Sequence, residues 1–294
     1  MSSILAFDIG GTQIKYGLVG LDGAVSHVQT TATPAAKGGP AVLDHVCALA
    51  APLVREHAPI GIAVSTLGLV QPDTGTILGA AEAIPDYPAC SPKAVLEQAF
   101  GLKVTVENDV NCVALAEGWT GAGQGCAHFI ALTVGTGIGG GIVINNALYR
   151  GARAAAGEWG YMRIDGKMWE RHASTAALVR AIEAATGEGG WSGERIMAAY
   201  DGGDAVVCAV VVQWRQLLAT GIANLIYAFN PQRVIVGGGI SARGERFQQE
   251  LNLSVDEVLE PDFRGTTEIR LASAGNHAGM IGAARNWLLS NASA

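Results

Sequence analysis

Charge is scarce in this chain. Of its 294 residues only 15% are charged, acids outnumber bases 26 to 19, and the formal net charge is −7. No basic patch is available to hold a phosphate backbone, which argues against a nucleic-acid surface. Cysteine is scarce too: Cys47, Cys90, Cys112, Cys126 and Cys208 are odd in number and form no C-x-x-C pair. That spacing suits neither a disulfide framework nor a zinc site, and points to small core residues in a reducing cytoplasm. The start, Met-Ser-Ser-Ile-Leu-Ala-Phe-Asp, has no basic region and meets Asp8 almost at once, so no signal peptide is expected. One apolar stretch, residues 205–229, has the length of a membrane span. Gln213, Arg215 and Gln216 interrupt it, and their cost in lipid predicts a buried core helix instead, stopped by Pro231.

What is plentiful is apolar residues, at 49%, and glycine, with 40. This is the composition of an ordered, well-buried globular protein, and the length suits two domains better than one. Residues 4–7 read as a strand, 8–12 as a tight turn and 14–19 as a second strand. Asp22-Gly23 is a hairpin signal leading to a third strand near 25–30. Pro40 opens a helix that Pro52 is expected to kink or restart. Ile60, Ile62 and Val64 alternate as a fourth strand, and Ser91-Pro92 caps a short helix that ends at Gly101.

In the next stretch, Leu102, Val104 and Val106 alternate with Lys103, Thr105 and Glu107, the period of a strand with one buried face. After Asn108 the spacing turns helical, through Val110, Val113, Ala114 and Ala116. Asn108 and Asp109 therefore stand where a strand ends and a helix begins. Open α/β sheets bind ligands at such places, and a helix N-terminus keeps a carboxylate ionised. Taken alone, the pair reads as a plain helix cap ahead of a catalytic aspartate, since Asn and Asp are favoured caps. The order of this half is β-β-β-α-β-α-β-α.

The second half appears in the same plan, with a strand at 129–134, a glycine-rich turn at 135–141 and a returning strand at 142–144. Further strands are expected at 234–236 and 269–271, and a closing helix at 278–289. The letters repeat as well: residues 11–19 and 135–143 share the frame G-T-x-I-x-x-G-x-V. Backbone amides of such turns hold phosphate closely, and a threonine hydroxyl adds a directed donor. Neither turn is a Walker sequence or a dinucleotide fingerprint. Together with Asp8 and Gly237-Gly238-Gly239 they suggest a bound nucleotide. Asp8, at the end of the first strand, is placed to hold Mg²⁺ directly or through water. Asp109 would accept the proton of an attacking hydroxyl, a step for which a low-pKa carboxylate is adequate in phosphoryl transfer. Lys15 reads as a solvated lysine on a strand.

These motifs resemble the signatures of the ROK family: residues 8–15 (DIGGTQIK), Glu107-Asn108-Asp109, residues 135–141 (GTGIGGG), residues 156–160 (AGEWG), residues 234–239 (VIVGGG) and residues 278–284 (AGMIGAA). The resemblance runs over nearly the whole chain. It implies an α/β fold of two actin-like (ribonuclease H-like) domains, a duplicated plan around an interdomain cleft. The smaller, N-terminal domain would comprise 1–117 with 278–294, and the larger C-terminal one 118–277. It implies an ATP-dependent sugar kinase using Mg²⁺, cytoplasmic and homodimeric, with no nucleic-acid or membrane partner.

By the same resemblance Asp109 is the general base for a sugar 6-hydroxyl, Asn108 and Glu158 bond other hydroxyls, and the Gly68 loop lies against the ring. Glu170, followed by Ser174, is a further sugar contact, and Tyr161 stands where the family places a histidine. Glu158 also reads as a loop acid and Glu170 as a helix-surface acid. Gly10, Gly11, Thr12, Gln13, Thr136, Gly137, Gly139, Gly140, Gly238 and Gly239 would line the nucleotide.

Two departures fall in the sugar pocket. The family's cysteine cluster is replaced by the short Asp165-Gly166-Lys167-Met168-Trp169, so no structural zinc is expected and Trp159, Tyr161 and Trp169 are expected to hold the loop by packing. Residues 81–84 read Ala-Glu-Ala-Ile, losing an asparagine that often meets the sugar. Zinc-less relatives with a Gly-Tyr-Met segment include β-glucoside kinases and proteins described as N-acetylmannosamine kinases, so the sugar stays open among glucose-type, amino-sugar and β-glucoside substrates. A sugar-sensing repressor would need a helix-turn-helix ahead of the first strand, and residue 4 leaves no room for it. A conformational switch of the heat-shock or actin type would need a peptide-binding domain or a polymer surface.

Overall fold

The computed structural model describes residues 2–291. They divide into two compact units: the chain up to Gly125 with Leu148–Ala156 and the chain from Ser273 on, and Cys126–Ala147 with Gly157–Ala272.

In the first unit β1 (Ser3–Ile9), β2 (Gln13–Gly20) and β3 (Val25–Ala32) form an antiparallel meander. Then come α1 (Gly39–His57), β4 (Ile62–Thr66), a hairpin of β5 (Leu69–Gln71) and β6 (Thr76–Gly79), α2 (Pro92–Phe100), β7 (Val104–Asn108) and α3 (Asp109–Thr120). The sheet order is β3-β2-β1-β4-β7, with β1, β4 and β7 parallel. Parallel strands are covered on both faces, which is why β1 and β4 are buried along almost their whole length. Leu5, Phe7 and Ile9 face the core that includes Val42, Val46 and Leu96, while Ile4, Ala6 and Ala63 face Met280 and Trp287. Pro52 lies inside α1, which continues through it to His57 rather than restarting.

The second half runs β8 (Phe129–Val134), β9 (Ile138–Ile144) and β10 (Ala147–Leu148), then a small hairpin of β11 (Arg163–Ile164) and β12 (Lys167–Met168). Four helices follow: α4 (Glu170–Ala173), α5 (Thr175–Thr186), α6 (Gly193–Asp201) and α7 (Ala205–Phe229). The chain closes with β13 (Arg233–Gly237), α8 (Gly244–Val258), β14 (Glu268–Leu271) and α9 (Ala278–Asn291). The sheet order β10-β9-β8-β13-β14 matches the first sheet position by position, with β13 parallel to both β8 and β14. The duplicated α/β plan of two actin-like domains is therefore present in the topology.

The glycine run is shorter as a turn than its letters suggest. Only 135–137 lie outside strands; Gly139–Gly141 belong to β9 and pair with Thr133, Leu132 and Ala131. Glycine offers the same backbone groups to a ladder as any other residue, but no side-chain alternation to announce it.

The helix α7 is long and apolar enough to cross a membrane by length and composition. Here Val211, Trp214, Leu218 and Ile222 are buried, and mid-helix Arg215 pairs with Glu250 at 2.7 Å and donates to Ser254 Oγ at 3.0 Å. It is a core helix of the second unit.

Candidate active site

The first locus lies at the carboxyl edge of β1, β4 and β7. The register puts Asp8, Ser65 and Glu107 in one row, and Ile9, Thr66 and Asn108 in the next. Ser65 Oγ donates to Asp8 Oδ1 at 2.8 Å. Burial pushes the Asp8 carboxyl above its ordinary range, against the opposing pull of Ser65 and Lys15. Gly279, in the first turn of α9, explains how the helix comes so near: a Cβ there would sit 2.4 Å from Asp8 Cγ.

Beyond Asp8 the turn 10–12 is closed by Gly10 N to Gln13 O at 3.0 Å and braced by Thr33 Oγ1 to Gly10 O at 2.6 Å. Thr12 and Gln13 are exposed at its tip. The Ala81–Ile84 segment, which departs from the family pattern, packs beside this turn: Ala83 Cβ lies 2.8 Å from where a Cβ on Gly11 would stand. Lys15 stands on β2, and its head group is exposed. Its Nζ donates to Asn276 O at 3.1 Å.

At the end of β7, Asn108 is the N-cap of α3, its Oδ1 accepting from Val110 N at 2.9 Å and Asn111 N at 3.1 Å. Its Nδ2 donates to Gly68 O at 3.0 Å and to Asp109 Oδ1 at 2.9 Å. The same Asp109 oxygen accepts from Val110 N at 2.9 Å. One side chain thus caps the helix, ties down the Gly68 loop and fixes the plane of the aspartate. The cap and the candidate base are one arrangement rather than rival readings.

In the sequence Glu107 reads as an outward-facing position of an alternating strand and as the first letter of the Glu107-Asn108-Asp109 motif, with no role of its own. It is 2% exposed, and it organises the underside of this locus. It accepts from Asn111 Nδ2 at 2.9 Å, Asn108 N at 2.9 Å and Arg150 Nε at 2.6 Å. Arg150 Nη2 also reaches Asn286 Oδ1 on α9 at 3.0 Å. Arg150 lies in Leu148–Ala156, which the sequence reading places in the C-terminal domain and which here packs with the first unit. No local pattern marks a partner 43 residues away.

The second locus surrounds the turn 135–137, closed by Gly135 N to Gly137 O at 3.0 Å. Thr136 is exposed. Gly157 has φ +98, and a Cβ there would meet Gly140 O at 2.1 Å, so only glycine lets the segment carrying Glu158 lie on β9. The Trp159 ring fills the space over Gly140, where a Cβ would come within 2.3 Å of it. Glu170, in the first turn of α4, brings its carboxylate 2.7 Å from the Cβ positions of both Gly137 and Gly160. The turn, the Glu158 segment and Glu170 are thereby gathered together.

Trp159 and Trp169 are buried as expected, and Trp169 Nε1 donates to Leu217 O at 3.0 Å. Tyr161 is 52% exposed, so less of it is buried in this packing than of either tryptophan. Gly238 and Gly239 follow β13, whose Gly237 pairs with Thr133. Beside Gly239 opens a cavity of about 560 Å³ that Ile240, Met197, Thr175 and Arg243 also line. Among the described residues no group of three or more His, Cys, Asp or Glu side chains forms a metal cage.

The model of the ROK family matches residues 4–289. The β-glucoside kinase of Listeria monocytogenes is 38% identical over 297 aligned positions, 97% of each chain. A solved structure from the same organism, provisionally described as an N-acetylmannosamine kinase, superposes with TM-score 0.88 at 36% identity, over 98% of this chain and 99% of that one. A glucokinase from Streptomyces griseus, solved with glucose and AMPPNP, gives TM-score 0.83 at 31% identity, over 96% and 98% of the two chains.

Proposed function

The chain belongs to the ROK family, and from that premise we propose that it is an ATP-dependent sugar kinase. It moves the γ-phosphoryl group of Mg-ATP to the 6-hydroxyl of a hexose or hexose derivative of the glucose type. The observation that carries this reading is the carboxylate of Asp109, its Oδ1 fixed by Asn108 Nδ2 and Val110 N at the N-terminus of α3. As the sugar oxygen bonds to Pγ, the bond from Pγ to the bridging oxygen breaks, ADP leaves, and the hydroxyl proton passes to Asp109. A carboxylate stabilised by a helix N-terminus is adequate for that late transfer.

Gly68, Asn108, Glu158, Tyr161 and Glu170 are assigned to the sugar. The Asn108 amide already donates twice, so a sugar hydroxyl accepts from it only in exchange for Gly68 O or Asp109 Oδ1. The turns holding Gly10, Gly11, Thr12, Gln13 and Thr136, Gly137, Gly139, Gly140 are assigned to the phosphates. Gly238 and Gly239 continue toward the 560 Å³ cavity, which suits the nucleoside end.

The donor set fits a magnesium ion brought in with the nucleotide. Asp8 is a hard oxygen ligand, and Mg²⁺ takes one or two carboxylates besides phosphate and water. Its raised pKa marks a buried acid whose ionised form gains from a cation. When bound, the ion would neutralise phosphate charge.

The test is ADP release with Mg-ATP over glucose, glucosamine, kanosamine, mannose, N-acetylmannosamine, N-acetylglucosamine and cellobiose. Turnover with one sugar, reduced by about 10²–10⁴-fold in Asp109→Asn, is the expected result. The β-glucoside and N-acetylmannosamine kinases among the relatives make cellobiose and N-acetylmannosamine the informative alternatives. Sugar binding without turnover would replace the kinase reading with a sensing one.

A further inference from the structure

A second cavity, of about 470 Å³, opens in the second unit among the β11–β12 hairpin, α4, α5 and α7. It shares no residue with the candidate site. Lys167, Arg171 and Arg180 line it against a single carboxylate, Asp165. In an acidic chain whose other arginines are widely paired, none of these three cations forms an ion pair among the described residues.

Arg180 Nη2 instead reaches toward Arg171 O at 3.4 Å, which gathers two like-charged residues at one opening. His172 also lines the cavity, and its Nε2 is buried beneath that lining without a hydrogen-bond partner. Burial and the Lys167 charge push its imidazole pKa down against the pull of Asp165. Apart from Gln213 the remaining wall is apolar, with Val210, Trp214 and Leu217. Buried polar atoms are rarely left unmatched, and uncompensated cations around one hollow repel each other. An anion in the hollow that accepts several hydrogen bonds offsets that repulsion directly.

We propose that this cavity binds a small phosphate monoester, its phosphate held by Lys167, Arg171 and Arg180 and its organic body resting on Trp214 and Leu217. Guanidinium forks match the oxygens of a phosphate, and three cations favour a dianion over a single carboxylate. The volume of about 470 Å³ would hold roughly fifteen waters at ~30 Å³ each, more than a bare phosphate fills. The apolar wall suits a carbon skeleton. Arg171 and His172 directly follow Glu170 on α4, so an occupant bears on the turn that carries that carboxylate. The kinase reading would itself release an ester of this class; that link rests on the reading, whereas the site does not.

The test follows the imidazole ¹H–¹⁵N signals of the full labelled chain, which has 6 histidines, with His172 assigned through His172→Gln. Glucose 6-phosphate, inorganic phosphate and glucose are titrated separately. The ester should move the His172 signals at a concentration roughly tenfold below that needed with inorganic phosphate, and glucose should leave them unmoved. Arg171→Gln/Arg180→Gln should weaken the response roughly tenfold or more, while Arg171→Lys/Arg180→Lys, with matching thermal melts, retains it. Asp109→Asn should respond as the parent does, which separates this site from the kinase reading. His172 signals unmoved by either phosphate up to about 10 mM, or moved equally by both, would overturn the assignment, as would a full response in the glutamine variant.

Discussion

Asp8 is held in a way that opposes its own folding. Its carboxyl titrates above the ordinary value of 3.8 because burial penalises the charged form, and Ser65 and Lys15 only partly offset this. Between 3.8 and the raised folded value the native state binds more protons than the unfolded one, so stability falls as pH rises through that window. Asp8→Asn keeps an acceptor for Ser65 Oγ and removes the charge, so without nucleotide or Mg²⁺ it should be more stable than the parent at pH 7. The advantage should shrink toward pH 4. Urea midpoints measured from pH 7 to 4 in EDTA decide the matter: a variant less stable than the parent at pH 7 would mean that the carboxylate is compensated as it stands. If stability rises while Mg-ATP turnover falls, the residue is a functional cost carried by the fold.

Between elements, α3 and α9 of the first unit meet backbone to backbone at Gly282. A Cβ on Gly282 would lie 1.7 Å from Cys112 O, inside the backbone of the facing helix. Alanine gains about 1 kcal/mol in helix propensity, but overpacking costs about 1–3 kcal/mol or more, and a main-chain carbonyl cannot swing aside as a side chain can. Gly282→Ala should therefore lose about 2 kcal/mol or more net, seen as a lowered thermal midpoint; an unchanged midpoint would show that the helices separate freely. Contacts of this kind mark the limit of what the letters carry. Local patterns sufficed for the strand β7, the cap at Asn108, the two equivalent turns and the long core helix α7, because each is written in neighbouring residues. Glu107 and Arg150 were missed because their meaning lies in a pairing across 43 positions, and alternation alone assigns Glu107 to the polar face. Ile60, Ile62 and Val64 read as an alternating strand, yet the strand that forms, Ile62–Thr66, is buried throughout, since a central parallel strand has no solvent face. The Ala81–Ile84 loop looked like a bare loss, and its packing beside Gly11 needed the fold to be seen.

At the scale of the molecule the chain finishes its first unit with its last helix. The strands β1 and β4 are separated by more than 200 residues from α9, yet one face of each is covered by Met280, Ala283, Ala284 and Trp287. Trp287 lies against Gly61 and donates from Nε1 to Lys103 O at 2.9 Å. Met280, Ile281 and Trp287 are all buried, and three such side chains contribute roughly 1.5–3 kcal/mol each. Their sum, about 5–9 kcal/mol, equals much of the stability of an ordinary domain. A chain ending at Ala272 should therefore lose its first unit while keeping a second sheet whose strands lie wholly between β8 and β14. Amide hydrogen exchange separates the two directly: protection in β1 and β4 should collapse, and protection in β8 and β13 should persist. Equal loss in both sheets would instead show that the two units fold as one cooperative body, and would shift the origin of stability from the α9 face to contacts shared by the whole chain.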